Sequence, residues 1–395
     1  MSTLLIRDVR PMGGETANVL IQDGKIAAIG TALAAPAGAA IEHGGGALLL
    51  PGLIEGHTHL DKSNWGAPWY RNAIGPSRLD RINNERRWRT EAAHDPAARS
   101  LDLARAFLAN GTTRMRTHAD IDPDIGMAHI EATMRTRDAM VGLMEIQIVA
   151  FPQSGIVGQP GVTDWMEEAL KQGADGVGGI DPCEIDRDPV EHLNVVFGLA
   201  SKYARPVDIH LHEPGEMGAF SLDLILERTE ALGLRGQVTI SHAFCLGTIA
   251  LSARDALLER MARMDVRIAT TAPASNPVPS LAVCRAAGVT VYGGNDGIRD
   301  SWTPHGRPDM LDRAMHIALR NGLRRDDELG WALDCVTDAA ARGCGFAEYG
   351  LTPGCRADLV LVAAETVAEA VASVPPRRLV IADGQIAARG GVLTA

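Results

Sequence analysis

The most informative segment of the chain reads Pro51-Gly-Leu-Ile-Glu-Gly-His57-Thr-His59-Leu-Asp-Lys62. It continues an apolar run that begins at Ala47, and this pattern predicts a buried strand that ends in two histidines. Alternate side chains of a strand share a face, so His57 and His59 are expected to point the same way. Two imidazoles in that arrangement suit one metal ion, which binds ring nitrogens at about 2 Å.

Composition limits the classes of protein to consider. The 395 residues are 46% hydrophobic, which is enough for one large domain and a smaller one. The formal charge of -11 and the lack of a basic block argue against a nucleic-acid surface. No stretch reaches the roughly 18 apolar residues of a membrane span, and the N-terminus has no secretion signal pattern. We therefore expect a cytoplasmic protein.

The cysteines do not form a motif. No Cys-x-x-Cys pair occurs, and in a chain of this length scattered cysteines are typical of reduced, mostly buried thiols. The six are Cys183, Cys245, Cys284, Cys335, Cys344 and Cys355.

Both ends of the chain have the pattern of short strands joined by tight turns. An Asp-Gly pair between apolar runs predicts a β-hairpin, and such pairs occur at Asp23 and again at Asp383. Residues 1–50 and 351–395 are therefore expected to share one small β-sandwich domain, with residues 51–350 inserted between its two halves.

Residues 51–350 alternate apolar strands with helical stretches, as in an α/β protein. Eight such repeats predict a (β/α)8 TIM barrel, which carries its chemistry at the C-terminal ends of the strands. Besides the strand that leads to His57, the predicted strands cover residues 112–120, 145–153, 176–181, 206–213, 237–244, 267–273 and 290–296.

Polar residues at three further strand ends complete a candidate metal site. His210 ends the fifth predicted strand, His242 the sixth and Asp296 the eighth. A mononuclear catalytic centre uses about three or four protein ligands and keeps one position open for water. We predict one divalent metal ion bound by His57, His59, His210 and Asp296.

The order of these residues resembles the amidohydrolase superfamily, and within it the cytosine deaminase-like branch. Three further features are similar to that branch: Arg116-Thr-His-Ala-Asp120, Gln147-Ile-Val-Ala-Phe-Pro-Gln153, and Trp302 six residues after Asp296. The resemblance covers almost the whole chain.

The resemblance implies a role for each site residue. The metal, Zn²⁺ or Fe²⁺, would lower the pKa of a bound water, and Asp296 would accept its proton. His242 would polarise the attacking oxygen, and Glu213 would carry protons to the ring and to the leaving ammonia. Gln153 would bind the carbonyl and N–H edge of the ring, and Trp302 would line its pocket.

Departures from the branch leave the substrate open. The fourth strand has no lysine, which favours one metal over a bridged pair. Asp296 is followed by Gly297 rather than a second Asp, and this removes a charged acceptor from the predicted pocket. Lys62 resembles the lysine of relatives that act on aminated triazines.

Side-chain parity suggests a charged layer below the metal. Counting back by twos places Glu55, Arg116, Gln147 and Asp208 inside the barrel. A buried Arg needs a partner, so we expect Arg116 to pair with Glu55 or Asp208 and to help orient the ligands. The roles of His118, Asp120 and His305 stay open.

The leading interpretation is a hydrolytic deaminase that releases ammonia from a small amino-substituted nitrogen heterocycle, with a cytosine-like or isocytosine-like pyrimidine favoured. Aminotriazine and pterin-like rings follow as substrates, and the alternatives are an aminotriazine or N-alkylamine-releasing amidohydrolase and a cyclic amidase. A non-enzymatic metal-binding scaffold is the least favoured, because Glu213, His242 and Asp296 are all present. The resemblance is compatible with a homo-oligomer.

Overall fold

A computed structural model describes residues 3–75, 77–92 and 94–394 of the chain. The described residues form two eight-stranded sheets, one from the middle of the chain and one from its two ends. This arrangement confirms the predicted α/β architecture. The division into domains at residues 50 and 351 stays a prediction.

The terminal sheet combines both ends of the chain. Its strands are β1 (Thr3–Pro11), β2 (Ala17–Gln22), β3 (Lys25–Gly30) and β4 (Ala40–Pro51), followed at the far end by β13 (Leu359–Val362), β14 (Arg377–Ala382), β15 (Gln385–Arg389) and β16 (Val392–Leu393). Their order is β16-β15-β14-β13-β4-β1-β2-β3, so β4 and β13 join the two halves.

The terminal sheet curls over its own core. Both predicted Asp-Gly turns are present, with Asp23, Gly24, Asp383 and Gly384 all at positive φ, as a two-residue hairpin loop requires. A Cβ added to Gly384 would lie 2.7 Å from the Cα of Gly24, so these two turns, from separate halves of the sheet, touch. The enclosed core consists of Leu, Ile, Val and Ala residues from both halves.

The second sheet is a parallel barrel. Its strands are β5 (Leu53–Thr58), β6 (Thr112–Ile121), β7 (Glu145–Pro152), β8 (Gly176–Ile180), β9 (Val207–His210), β10 (Val238–Ser241), β11 (Arg267–Thr270) and β12 (Val291–Gly293). They pair in chain order, and a parallel bridge between Thr58 and Asp296 closes the circle. The closing bridge therefore joins the predicted ligand Asp296 to Thr58, the residue between His57 and His59.

The helices follow the strands. They are α1 (Arg78–Glu91), α2 (Pro96–Ala109), α3 (Ala128–Ala139), α4 (Val162–Lys171), α5 (Pro189–Tyr203), α6 (Gly215–Ala231), α7 (Leu251–Arg263), α8 (Leu281–Ala286), α9 (Met310–Asn321), α10 (Asp326–Asp334), α11 (Asp338–Cys344) and α12 (Val367–Ser373). A π-helical turn spans Pro182–Asp186. None of the helices in the described residues is long and apolar enough to cross a membrane. All six cysteines are free, and four are buried.

Candidate active site

The predicted metal ligands converge at the C-terminal end of the barrel. Nε2 of His59 lies 3.3 Å from Nε2 of His210 and 3.2 Å from Oδ1 of Asp296. Nε2 of His57 lies 3.7 Å from the same Asp296 oxygen. Every pair among the four residues places candidate ligand atoms within 4.8 Å, so the structure brings the whole predicted set together.

The chemistry of this cluster fits a metal ion. Buried ring nitrogens of five histidines have no hydrogen-bond partner: His57 Nε2, His59 Nδ1, His210 Nδ1 and both nitrogens of His118 and His242. Buried polar atoms are rarely left unsatisfied, because each one loses its water without compensation. Imidazole nitrogens and a carboxylate are ordinary ligands of a divalent metal. The His/Asp cluster could therefore hold one.

A hydrogen-bonded layer below the cluster orients His57. Ser241 Oγ donates to Asp208 Oδ1 over 2.7 Å and lies 3.0 Å from Nδ1 of His57. Since the hydroxyl proton points to Asp208, the Ser241 oxygen accepts from Nδ1–H, which leaves the lone pair on Nε2 facing the cluster. Asp208 thus fixes the tautomer of His57 through Ser241.

Arg116 belongs to the same layer. Its NH1 lies 3.4 Å from Asp208 Oδ2, and its other nitrogens donate to Gln147 and to a backbone carbonyl. Burial alone would raise the pKa of Asp208, but His118 and Arg116 beside it hold that pKa below its usual range. The predicted pairing of Arg116 with a carboxylate is confirmed, and Asp208 is the partner.

Glu55 serves another part of the site. Its carboxylate accepts from the backbone N–H groups of His57 and Asn295 and from the Asn295 side chain at 2.6 Å. Burial raises the pKa of Glu55 to about 7. Asn295 precedes Asp296, whose φ of 62° is left-handed. Glu55 thus supports both the His57 strand and the strained Asp296 backbone.

His212 and Asp181 form a hydrogen-bonded pair that was not predicted from the sequence. Nδ1 of His212 lies 2.7 Å from Asp181 Oδ2, and the His212 ring lines the cavity and stacks on His242 at 4.3 Å. Arg78 of α1 lies 3.1 Å from the same Asp181 oxygen. The spacing of His212 two residues after His210 was the available signal, because it repeats the pattern of His57 and His59.

Glu213, which was predicted to carry protons to the substrate, does not line the cavity. It is fully buried and accepts hydrogen bonds from the backbone N–H groups of Cys183 and Glu184 at 2.7 and 2.8 Å. Its second oxygen accepts from Ser221. Oε1 therefore holds the π-helical turn and Oε2 is bound to α6, and the proton-carrying role of Glu213 stays a prediction.

The predicted substrate-binding residues form one wall of the cavity. Lys62 Nζ donates to Gln153 Oε1 over 2.6 Å and lies 5.5 Å from the centre of the Trp302 ring. Asp120, at the end of β6, lies 3.3 Å from the same ammonium. The structure thus brings Lys62, Gln153 and Trp302 together beside the His/Asp cluster.

Asp300 supplies the carboxylate that Gly297 lacks. A Cβ on Gly297 would lie 1.8 Å from Asp300 Oδ2, so the Asp300 carboxylate fills the space of a side chain at 297. Asp300 lines the cavity, and its Oδ1 accepts from the N–H groups of Trp302 and Thr303. Burial raises the pKa of Asp300 to about 6. The expected loss of an acidic group from the pocket is therefore wrong.

The cavity has a volume of about 1180 Å³ and opens beyond the cluster. His305 lies on its lining, as does His316, which the sequence pattern did not single out. His118 sits below the cluster, with its ring 4.5 Å from that of His57.

Comparison with known proteins identifies the family of the chain. The profile of the amidohydrolase family matches residues 45–388. The chain belongs to the amidohydrolase family. A crystal structure of N-isopropylammelide isopropylaminohydrolase from Burkholderia multivorans ATCC 17616 is 59% identical to this amidohydrolase, with a TM-score of 0.98 and coverage of 100% of both chains.

Two less similar proteins are a second N-isopropylammelide enzyme and a 5-methylcytosine deaminase. N-isopropylammelide isopropyl amidohydrolase from Pseudomonas sp. (strain ADP) is 28% identical over 362 residues, 89% of this chain and 88% of the relative. A crystal structure of 5-methylcytosine deaminase from Klebsiella pneumoniae is 27% identical, with a TM-score of 0.85 and coverage of 98% of both chains. The predicted superfamily and enzyme class, a hydrolase of C–N bonds outside peptides, are confirmed.

Proposed function

We propose that this amidohydrolase hydrolyses the exocyclic C–N bond of an N-alkyl-substituted aminotriazine of the ammelide class and releases an alkylamine. The full-length match, at 59% identity, to an enzyme named for that reaction carries the proposal. It supports an N-alkylamine-releasing amidohydrolase over a deaminase of a cytosine-like ring, which was the substrate favoured from the sequence. For N-isopropylammelide, water adds its oxygen to the ring carbon, the C–N bond breaks, and cyanuric acid and isopropylamine result.

The side chains of this cavity wall are suited to a substrate ring that carries oxygen substituents. Burial alone would lower the pKa of Lys62, but Asp120 and Glu85 raise it above its ordinary value, so the ammonium stays charged. A fixed cation is a good partner for a ring oxygen, on which negative charge grows during attack. Gln153, whose Oε1 accepts from Lys62, also lines the cavity and has an amide N–H₂ that can donate.

The metal would be held by His57, His59, His210 and Asp296. When bound, Zn²⁺ or Fe²⁺ would supply a water of near-neutral pKa and polarise it for attack. Ser241 and Asp208 keep His57 in the tautomer that can act as a ligand.

Proton transfers fall to residues that reach the cavity. Asp296 takes the proton of the attacking water, and His242, with Nε2 3.8 Å from Asp296 Oδ2, stabilises the attacking oxygen. The leaving amine needs a proton before the C–N bond breaks. We assign its delivery to His212, because Asp181 orients this ring and the ring lines the cavity.

Ammonia release from a pyrimidine is the second candidate. The similarity to 5-methylcytosine deaminase favours it, and so does Asp300, whose carboxylate could face a ring N–H. Identity to that deaminase is 27%, against 59% to the triazine enzyme. The triazine reaction is therefore the one we adopt.

The test is product analysis with purified, metal-analysed protein. N-isopropylammelide, ammelide, cytosine and isocytosine are each supplied, and released isopropylamine and ammonia are quantified by mass spectrometry. We expect isopropylamine from N-isopropylammelide, about one metal per chain, and loss of turnover with a chelator that Zn²⁺ or Fe²⁺ restores. Ammonia from cytosine without release of isopropylamine would replace the proposal by the second candidate.

A further inference from the structure

Helix α1 places a buried carboxylate behind the ring-binding wall. Glu85 is 1% exposed and does not line the cavity. It accepts a hydrogen bond from the indole Nε1–H of Trp302 and one from Arg89 at 2.6 Å, and its Oε2 lies 3.7 Å from Nζ of Lys62. Glu85 therefore contacts two of the three predicted substrate-binding residues from behind.

These two residues are far apart in the sequence but follow strands that are neighbours in the closed barrel. Lys62 follows the first barrel strand, β5, and Trp302 follows the last, β12. Their side chains meet beside the cavity, with the ammonium 5.5 Å from the indole ring. Glu85 is a partner of both, so one carboxylate links the two loops that build the wall.

Glu85 belongs to a buried network of opposite charges. Lys62 and Arg89 face Glu85 and Asp120, and Arg89 also donates to Asp120. All four side chains are at most 6% exposed. Replacing the Glu85 carboxylate by an amide would remove a negative charge that both cations face in a buried network, which is unfavourable unless the cations move. Movement of Lys62 or Trp302 would change the wall that faces the substrate.

We propose that Glu85 is a positioning residue that fixes the Trp302 indole and the Lys62 ammonium for recognition of the substrate ring. It acts through these two side chains and makes no contact with the His/Asp cluster that would bind the metal. The proposal rests on the proposed function, because the ring is taken to be that of an ammelide. Glu85 thereby makes α1, a helix outside the barrel repeat, a determinant of ring affinity.

The kinetic test compares Glu85→Gln with Glu91→Gln on the same helix, where Glu91 is exposed. Glu85→Gln is expected to raise KM for N-isopropylammelide by about 10- to 100-fold, the scale of a buried charged hydrogen bond, with kcat within about threefold and metal content unchanged. Glu91→Gln should match the wild type. Equal KM values, or a fall in kcat that parallels loss of metal, would overturn the proposal.

A double-mutant cycle separates positioning from general damage. In the Trp302→Phe background the indole donor is gone, so Glu85→Gln should raise KM several-fold less than in the wild type. Additive effects would show that Glu85 does not act through Trp302.

A spectroscopic readout does not depend on turnover. With ¹⁵N-labelled tryptophan, the indole N–H signal that disappears in Trp302→Phe should shift in Glu85→Gln and stay in place in Glu91→Gln. An unshifted signal would overturn the proposal. A shifted signal in a protein that releases no amine from any substrate would instead remove the proposed function and leave the positioning contact standing.

Discussion

Nδ1 of His212 lies 2.7 Å from Oδ2 of Asp181, while the other oxygen of that carboxylate accepts from the backbone N–H of His212. Asp181 itself adopts a left-handed backbone with φ of 35°, directly after β8. A strained residue that aims its carboxylate at a cavity-lining imidazole is typical of an active-site pair in which the acid orients the base.

Substitution of His212 is expected to remove proton transfer. His212→Asn should lower kcat by about 10²- to 10⁴-fold, the range for loss of a general acid-base residue, with metal content near that of the wild type. Steady-state kinetics and metal analysis on the same preparation provide the measurement. A variant that retains full turnover would exclude His212 from the mechanism.

Glu213→Gln is expected to retain turnover, unlike His212→Asn. The amide oxygen can still accept from the N–H groups of Cys183 and Glu184, and Ser221 can accept from the new N–H₂, since a hydroxyl is both donor and acceptor. Turnover should stay within a few-fold of the wild type. Glu213→Ala, which strands these donors, should lower the free energy of unfolding by about 1–3 kcal/mol. A loss of kcat in Glu213→Gln as large as in His212→Asn would support the proton-carrying role predicted for Glu213 from the sequence.

Much of the fold could be predicted because it rests on periodicity. The alternation that ends in His57 and His59 gave the first barrel strand, and the Asp-Gly pairs gave hairpins that the structure contains. Helix α1 was missed for a physical reason. Its buried face consists of Ile82, Asn84, Glu85 and Trp88, so half of that face is polar and no apolar stripe marks it in the sequence.

The site was predictable where strand alternation continued to hold. His210 ends β9, and alternation favours His212 on the same face, whereas the family resemblance favoured Glu213. The structure follows the alternation. The contribution of Asp300 could not be predicted, because it depends on how the chain turns after Gly297 and brings a carboxylate back three residues later.

Ser241 offers a test of the layer below the cluster. In Ser241→Ala, Nδ1 of His57 loses its partner, and Asp208 loses a donor. The His57 tautomer is then no longer fixed, and the affinity for the metal should fall by about 10- to 100-fold, as for other residues that support a ligand. Competition with a chelating dye measures the affinity. Ser221→Ala, which removes a buried serine elsewhere, is the control and should keep the metal affinity of the wild type.

Gly297 is expected to tolerate no side chain. In Gly297→Ala the new methyl group would lie 1.8 Å from Asp300 Oδ2, which is impossible unless the Asp300 carboxylate moves. Asp300 also anchors the N–H groups of Trp302 and Thr303, so its displacement should shift Trp302 and raise KM by at least about tenfold. Gly330→Ala, with nothing within 4 Å of the added Cβ, should leave KM unchanged. An unaltered KM in Gly297→Ala would show that Asp300 does not contribute to substrate binding.

His94 should make the protein sensitive to acid. Nε2 of His94 lies 2.7 Å from the Asp61 carbonyl oxygen, and the ring packs 4.4 Å from Trp88. Burial lowers the pKa of His94 to about 4 from its ordinary value of 6.5. Between these two values the unfolded chain binds a proton that the folded chain does not, so the free energy of unfolding falls as the pH drops through this window. The full loss would be about 3 kcal/mol. Urea unfolding at pH 7.5 and pH 4.5 should show a smaller acid-induced loss for His94→Gln than for the wild type, while His43→Gln, at an exposed position, should match the wild type. An equal loss in all three proteins would show that His94 does not contribute to the acid sensitivity.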